Sequence, residues 1–161
     1  MKLLLLGFGQ NGKDTVAEYW QEKFGLTFGS SSLTACKVFL FDALKDKYDY
    51  TSPIDCFNDR HNHRQEWFDL IKNYNKEDGA RLAKTILEKS DCYVGMRNIE
   101  EFKASKHLFD LIIWVDAEQR VGTETGSCDI DKSVADIIID NNGTYEQLKT
   151  RLDKLGKILF T

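Results

Sequence analysis

Residues Gly7-Phe8-Gly9-Gln10-Asn11-Gly12-Lys13 follow directly on the run Leu3-Leu4-Leu5-Leu6, and this junction constrains the fold more than any other part of the chain. The spacing G-x-x-x-x-G-K, set between an apolar run and a helix-like stretch, is that of a phosphate-binding loop. The leucines read as a buried parallel strand, and the residues after Lys13 read as a helix with Val16, Ala17, Tyr19 and Trp20 in its body. Glycines let the backbone turn tightly around an anion, so that successive N–H groups and the helix N-terminus point at phosphate oxygens. Lys13 adds a mobile positive charge that follows the β- and γ-phosphates of a nucleoside triphosphate. Gly7, Gly9, Gln10, Asn11, Gly12, Lys13, Asp14 and Thr15 are therefore the expected nucleotide-binding residues.

The rest of the chain alternates strand-like and helix-like stretches. The first helix is expected from Lys13 to Phe24, where Gly25 stops it, and Leu26-Thr27-Phe28 reads as a second strand. Ser30-Ser31-Ser32 offers caps for a helix with Val38, Phe39, Phe41, Ala43 and Leu44 on its apolar side. Thr51-Ser52-Pro53 signals another helix start, with proline tolerated in the first turn, and the pattern stays helical to Lys89 with a break between Asn73 and Gly79. Cys92-Tyr93-Val94-Gly95-Met96 reads as a third strand, followed by Asn98 as a cap with Glu101 three residues on. Phe109 to Val115 and Ala135 to Ile139 read as further strands, and Gly143-Thr144-Tyr145-Glu146-Gln147 caps a last helix that packs Leu148, Leu152 and Leu155. Such alternation implies a parallel sheet covered on both faces, with ligands at the carboxyl ends of its strands. Gly7, Arg97, Asp116 and Asp140 all fall at such ends.

A length of 161 residues suits a single domain, 1–161, with a helical acceptor-side insertion over about 31–89 and a short lid-like segment over about 117–134. No apolar run approaches the ~20 residues of a membrane span, and the leucine run lacks the architecture of a signal peptide. Cys36, Cys56, Cys92 and Cys128 are scattered without a C-x-x-C pair, which reads as reduced thiols in a cytoplasmic protein. The net charge of −4, from 22 basic and 26 acidic residues, argues against non-specific binding to nucleic acid and leaves room for a local basic cleft.

Asp14 stands where a hydroxyl residue normally faces Mg²⁺, with Thr15 beside it, so both are expected at the metal. No aspartate ends the third strand, which adds weight to Asp14 as metal ligand or base. Arg97 follows that strand beside the phosphate site, with Glu101 one turn later. Arg60 and Arg64, four residues apart, fit one helical face that grips phosphate or a base edge. Arg120 is the candidate to swing over the γ-phosphate from the lid. His61 and His63 are two apart, hence on different faces, which argues against a shared metal. Asn75-Lys76-Glu77-Asp78 matches the guanine-reading N-K-x-D pattern, but it follows a helix and precedes Asp140-Asn141-Asn142-Gly143, the wrong order for a GTP switch.

With its Gly12-Lys13-Asp14-Thr15 loop, Arg97 after the third strand and the ending Ala135-Asp136-Ile137-Ile138-Ile139-Asp140-Asn141-Asn142-Gly143-Thr144, the chain resembles bacteriophage deoxynucleoside monophosphate kinases. Over most of its length it is also similar to small phage P-loop kinases that phosphorylate 5-hydroxymethyluracil bases in DNA. That second likeness rests on Gly7-Phe8-Gly9, Ser30-Ser31-Ser32-Leu33, Asn62-His63-Arg64-Gln65-Glu66-Trp67-Phe68-Asp69-Leu70-Ile71 and Tyr93-Val94-Gly95-Met96-Arg97. The resemblance implies an α/β, P-loop kinase-like three-layer fold with about five parallel strands. It also implies ATP with Mg²⁺ as donor and the hydroxymethyl oxygen of a base in phage DNA as acceptor, in the host cytoplasm. The expected roles are Lys13, Asp14, Arg97 and Arg120 in catalysis, and Arg60, Arg64, Glu66, Arg97 and Glu101 at the acceptor. Asp14 is the first choice of base, with Asp59 and Glu66 behind it. Trp67, Phe68 and Tyr74 are candidate stacking surfaces, although their helical spacing favours core packing for the first two. A kinase for free deoxynucleoside monophosphates and a non-catalytic ATP-binding module are the competing readings.

Overall fold

The computed structural model describes residues 1–124, 126 and 128–161. Its centre is β1 (Leu3–Leu6), whose four leucines are all buried. Leu4 and Leu6 enter one apolar cluster and Leu3 and Leu5 the other, so the strand is covered on both faces. Around it lie β2 (Phe28–Ser30), β3 (Cys92–Val94), β4 (Leu111–Asp116) and β5 (Ile137–Asp140). Among the described residues these form one sheet in the order β2-β3-β1-β4-β5, with every pairing parallel. The chain leaves β1 toward one edge and later crosses β1 to reach the other. That reversal opens a crevice at the carboxyl end of β1.

One face carries α1 (Lys13–Phe24) and α9 (Tyr145–Phe160). Val16, Ala17 and Trp20 of α1 pack with Leu148 and Leu152 of α9, each large side chain contributing about 1.5–3 kcal/mol by leaving water. The Trp20 indole N–H donates to the Leu152 carbonyl at 3.1 Å, so the buried ring keeps a partner. Thr144 and Gln147 close a reciprocal capping box at the start of α9. The other face carries α2 (Ser31–Ala35), α3 (Phe41–Tyr48), α4 (Pro53–Asn58), α5 (Arg64–Tyr74), α6 (Arg81–Leu87) and α7 (Ile99–Ser105). Short α8 (Glu118–Val121) follows β4.

Three details depart from the sequence expectation. The second strand begins at Phe28, because Gly25 turns the chain at φ 74° and the Leu26 N–H reaches back to the Trp20 carbonyl at 3.3 Å. Leu26 is thereby spent on the helix stop. Val38 is 44% exposed: residues Cys36–Leu40 form a π-helical turn, whose extra residue rotates Val38 outward while Cys36 and Leu40 stay buried. Asn98 does cap α7, accepting from the Glu100 and Glu101 amides at 2.8 and 3.3 Å, but Glu101 turns inward and completes no capping box.

The four cysteines are free thiols, and no helix is long and apolar enough to cross a membrane among the described residues. Asn75 belongs to the fold, since its side-chain carbonyl accepts from the buried Leu82 amide at 3.0 Å.

The contact between α1 and α9 depends on Gly156, where a Cβ would come within 2.4 Å of the Phe24 ring. Gly156→Leu should lower stability by about 1–3 kcal/mol in denaturant unfolding, as overpacked contacts do. Adding Phe24→Ala should restore part of that loss. No rescue would mean that the two helices do not meet as described.

Candidate active site at the carboxyl ends of the strands

The turn between β1 and α1 is built for close backbone approach. Gly7 has φ 155° and a Cβ there would sit 2.7 Å from the Val115 carbonyl, while Gly12 has φ 99° and would meet the Asn141 amide at 2.6 Å. Two asparagines lock the turn to its neighbours. Buried Asn11 donates to the Val115 carbonyl at 2.9 Å, and Asn141, just past β5, donates to the Asn11 carbonyl at 2.9 Å. The loop is thus fastened to the ends of both β4 and β5, with its Gly9 amide directed at the Glu124 carboxylate.

Cations gather in front of it. The Lys13 ammonium donates to the Gly7 and Phe8 carbonyls at 2.7 and 2.8 Å, folded back along the loop. Burial, and then the Arg97 charge, push it down to about 8. Arg60 donates to the Phe57 carbonyl at 3.0 Å and stacks over the Phe57 ring. Burial lowers its guanidinium, with Arg64 and Arg97 adding to the effect against the pull of Asp14. His61 accepts from Arg64 at 2.9 Å, and burial followed by the three surrounding arginines hold it below its usual value. It is therefore a neutral brace for Arg64.

The Glu124 carboxylate lies in the middle of this field. It accepts from the Gly9 amide at 2.8 Å, from Arg64 at 3.3 Å and from Arg97 in a very short contact. A loop amide and two guanidiniums converging on one carboxylate is the arrangement an anionic phosphoryl group requires, with a side chain standing in for it.

The crevice continues into a cavity of about 130 Å³. Gly9, Gln10, Lys13 and Asp14 line it from the loop, Ser30, Ser31 and Ser32 from the end of β2, and Gly95, Met96, Arg97 and Asn98 from the end of β3. Arg60, His61, Arg64, Trp67, Phe68 and Ile71 close it from the helical side, and Tyr93 and Glu101 also border it. Ser31 donates to the Gly95 carbonyl at 2.9 Å and ties the two strand ends together. Glu101 is 4% exposed and accepts from the Tyr93 hydroxyl at 2.5 Å. Burial raises its carboxyl to about 7, against the opposing pull of Tyr93 and Asn75.

Of the expected site residues, Lys13, Asp14, Gly9, Gln10, Arg60, Arg64, Arg97 and Glu101 meet around this one cavity. Gly7, Asn11 and Gly12 shape the loop behind it, and Thr15 lies exposed in the first turn of α1 outside the lining. Arg60 and Arg64 reach it by a route different from the expected one. Arg60 belongs to a 3₁₀ turn, Arg60–Asn62, and Arg64 opens α5 after a break at His63, so they share no helical face.

Three expected residues are elsewhere. Glu66 is held by Lys47 and Tyr48, both at 2.6 Å, on the outer side of α5, and Asp59 is likewise engaged by Tyr50, Asn62 and His63. Neither borders the cavity. Arg120 donates to the Asn141 carbonyl at 3.2 Å and is also outside the lining, because α8 ends at Gly122 before the chain turns toward the loop. The residue that does arrive from this segment is Glu124, which the sequence offered no motif to find. Trp67 packs in the core and also lines the cavity, Phe68 lines the cavity without belonging to either apolar cluster, and Tyr74 stacks on Phe39 with ring centroids 4.2 Å apart.

No family model and no curated protein matches the chain. Among solved structures, TT1252 from Thermus thermophilus is similar over 100% of this chain and 98% of its own, at 14% identity and a TM-score of 0.55. A shikimate kinase from Aquifex aeolicus is similar over the full length of both chains, at 15% identity and a TM-score of 0.49. The likeness is one of fold. The shared architecture is α/β, with a five-stranded parallel sheet and helices on both faces.

Two outcomes follow from the cation cluster. Glu124→Gln should tighten binding of ATP or inorganic phosphate several-fold, since the anion no longer competes with a built-in carboxylate; unchanged affinity by calorimetry would remove that role. A bound triphosphate raises the Lys13 pKa back from about 8, so nucleotide binding at pH 8 to 9 should take up protons. Calorimetry in buffers of different ionisation enthalpy measures this uptake, and Lys13→Met should abolish it.

Proposed function

We propose that this protein is an ATP-dependent phosphotransferase whose acceptor is the hydroxymethyl oxygen of 5-hydroxymethyluracil in DNA. The observation that carries the reading is the convergence of the Gly9 amide, Arg64 and Arg97 on one carboxylate beside Lys13, at the mouth of an aromatic-walled cavity. Phosphoryl transfer asks for positioned positive charge around three spread oxygens, and this cluster supplies it in place. The acceptor assignment draws support from the segment 62–71, which carries the sequence likeness to the DNA-base kinases. It contributes Arg64, Trp67, Phe68 and Ile71 to the cavity wall.

In the proposed reaction the loop amides and Lys13 hold the β- and γ-phosphates. The acceptor oxygen attacks the γ-phosphorus, the bond to the β,γ-bridging oxygen breaks, and ADP leaves with that electron pair. Arg64 and Arg97 neutralise the transferring group in the position Glu124 takes. The acceptor's proton passes to a carboxylate, and Asp14, which borders the cavity, is assigned that role. Among the described residues no group of three His, Cys, Asp or Glu side chains is assembled for a metal. The Asp14 carboxylate and adjacent Thr15 hydroxyl are hard oxygens of the kind that hold Mg²⁺ jointly with phosphate oxygens and water. Such an ion, when bound, adds charge neutralisation at the bridging oxygens.

A kinase for free deoxynucleoside monophosphates is the second reading. It is favoured by Arg60, a further cation at the cavity that could grip a 5′-phosphate. The test uses ATP labelled in the γ-phosphate with three acceptors: 5-hydroxymethyluracil DNA, unmodified DNA and a panel of mononucleotides. Label on the modified DNA alone is expected. Label confined to mononucleotides moves the assignment to the second reading, and no label on any acceptor overturns both. Lys13→Ala should lower turnover at least ~10²-fold, the scale of losing a charge-stabilising group.

A further inference from the structure

The cavity holds chemistry that phosphoryl transfer does not use. Glu101 is buried at its lining, bonded to the Tyr93 hydroxyl, and is paired with no cation among the described residues. Trp67, 4% exposed and also in the lining, has an indole N–H with no hydrogen-bond partner among the described residues. Asn98, 6% exposed, commits its side-chain carbonyl to capping α7, while its NH₂ group donates to nothing among the described residues. A buried donor left without a partner is costly, and so is a buried carboxylate without a neighbouring cation. The Trp67 N–H is the buried unpaired donor of the three, and Glu101 and Asn98 add a carboxylate without a cation and an uncommitted NH₂ group to the same lining, positions that a polar ligand would complete.

Size and polarity together narrow that ligand. A volume of about 130 Å³ is close to the ~150 Å³ cavity that takes up one benzene ring, so it suits one six-membered ring better than a fused purine. Trp67 and Phe68 provide aromatic surface on which a base stacks. Two N–H donors and one carboxyl acceptor complement a ring edge with two carbonyls and one N–H. Uracil-type bases carry such an imide edge. Cytosine does not: an amino donor replaces one carbonyl, and a lone pair replaces the ring N–H.

We propose that the cavity receives a single pyrimidine taken out of the base stack and reads its imide edge. Glu101 accepts from the ring N–H, and Trp67 and Asn98 donate to the carbonyls. This rests on the phosphotransferase reading for its purpose, since it presents the ring's substituent to the loop. Glu101 is then a specificity-determining residue that separates uracil-type from cytosine-type acceptors. Extrusion follows from the walls of the cavity, where Trp67, Phe68, Asn98 and Glu101 surround the ring on several sides, because a base within the stack cannot offer its edge to all of them.

The experiment measures binding without ATP, so it does not depend on transfer. Short single-stranded oligonucleotides differing in one central base (5-hydroxymethyluracil, thymine, cytosine or adenine) are titrated against the protein by fluorescence anisotropy. Both uracil-type strands should bind about 10-fold or more tightly than the other two, as expected where a mismatched base strands buried polar groups. Glu101→Gln should bring that preference below ~3-fold, and Trp67→Phe should cut it several-fold while keeping the ring. Equal binding of all four strands overturns the proposal, as does a preference that survives both substitutions. Should Glu101→Gln fail to fold by circular dichroism, Trp67→Phe decides alone. A preference that depends on Glu101, found together with no phosphoryl transfer, would leave the base pocket standing and remove the kinase reading. Transfer to modified DNA with a preference indifferent to these residues would do the reverse.

Discussion

Mutual repulsion among Lys13, Arg60, Arg64 and Arg97 is the constraint around which this end of the molecule is organised. Each cation is held by a local acceptor: loop carbonyls for Lys13, the Phe57 carbonyl and ring for Arg60, His61 for Arg64 and Glu124 for Arg97. The strain of crowding is visible in Lys13, whose ammonium falls to about 8 under burial and the Arg97 charge. Charges fixed in this way need little reorganisation when a phosphoryl group arrives, which is where preorganised sites gain over water. Glu124 is part of the same balance, because its carboxylate is the only acidic group bonded to the loop amide and both guanidiniums among the described residues.

The sheet order explains why these residues can meet at all. β1 lies between β3 and β4, so the loop after it is flanked by the chain leaving β3 on one side and by the ends of β4 and β5 on the other. The β3 side delivers Met96, Arg97 and Asn98, and the serines after β2 join them through the bond from Ser31 to Gly95. Among the described residues the β4 and β5 side adds none to the cavity lining, and it anchors the loop through Asn11 and Asn141. One flank of the loop thus serves recognition and the other rigidity.

What the sequence made legible follows the range of the interactions involved. The loop, α1 and its glycine stop are local events, set by neighbours in the chain, and the helix expected from Lys13 to Phe24 has those bounds in the structure. Arg97 and Glu101 were also readable, because a strand end followed by a capped helix places both at the crevice. Glu124 was not: its role depends on a turn between α8 and the rest of its segment that no local pattern encodes, and the arginine of that stretch, Arg120, took the attention. The π-helical turn at Cys36–Leu40 was equally opaque, since one extra residue in a turn leaves no compositional trace. Trp67 exposes a false choice in periodicity arguments. A side chain with helical spacing was read as either core or ligand surface, and this one is both.

The net charge of −4 bears on how such a site could engage a polyanion. At physiological salt, fields decay over about 8 Å, so the acidic surface and the cationic crevice act nearly independently. A long basic track would hold DNA through many phosphates and release it slowly, with steep salt dependence. A compact cluster of cations beside a one-ring cavity concentrates the attraction at a single residue of the acceptor. In the proposed reading recognition then rests on what enters the cavity, and the polar groups of Glu101, Trp67 and Asn98 set a chemical condition that charge alone cannot meet. For the acceptor proposed above, an acidic exterior weakens every contact except the one the cavity completes.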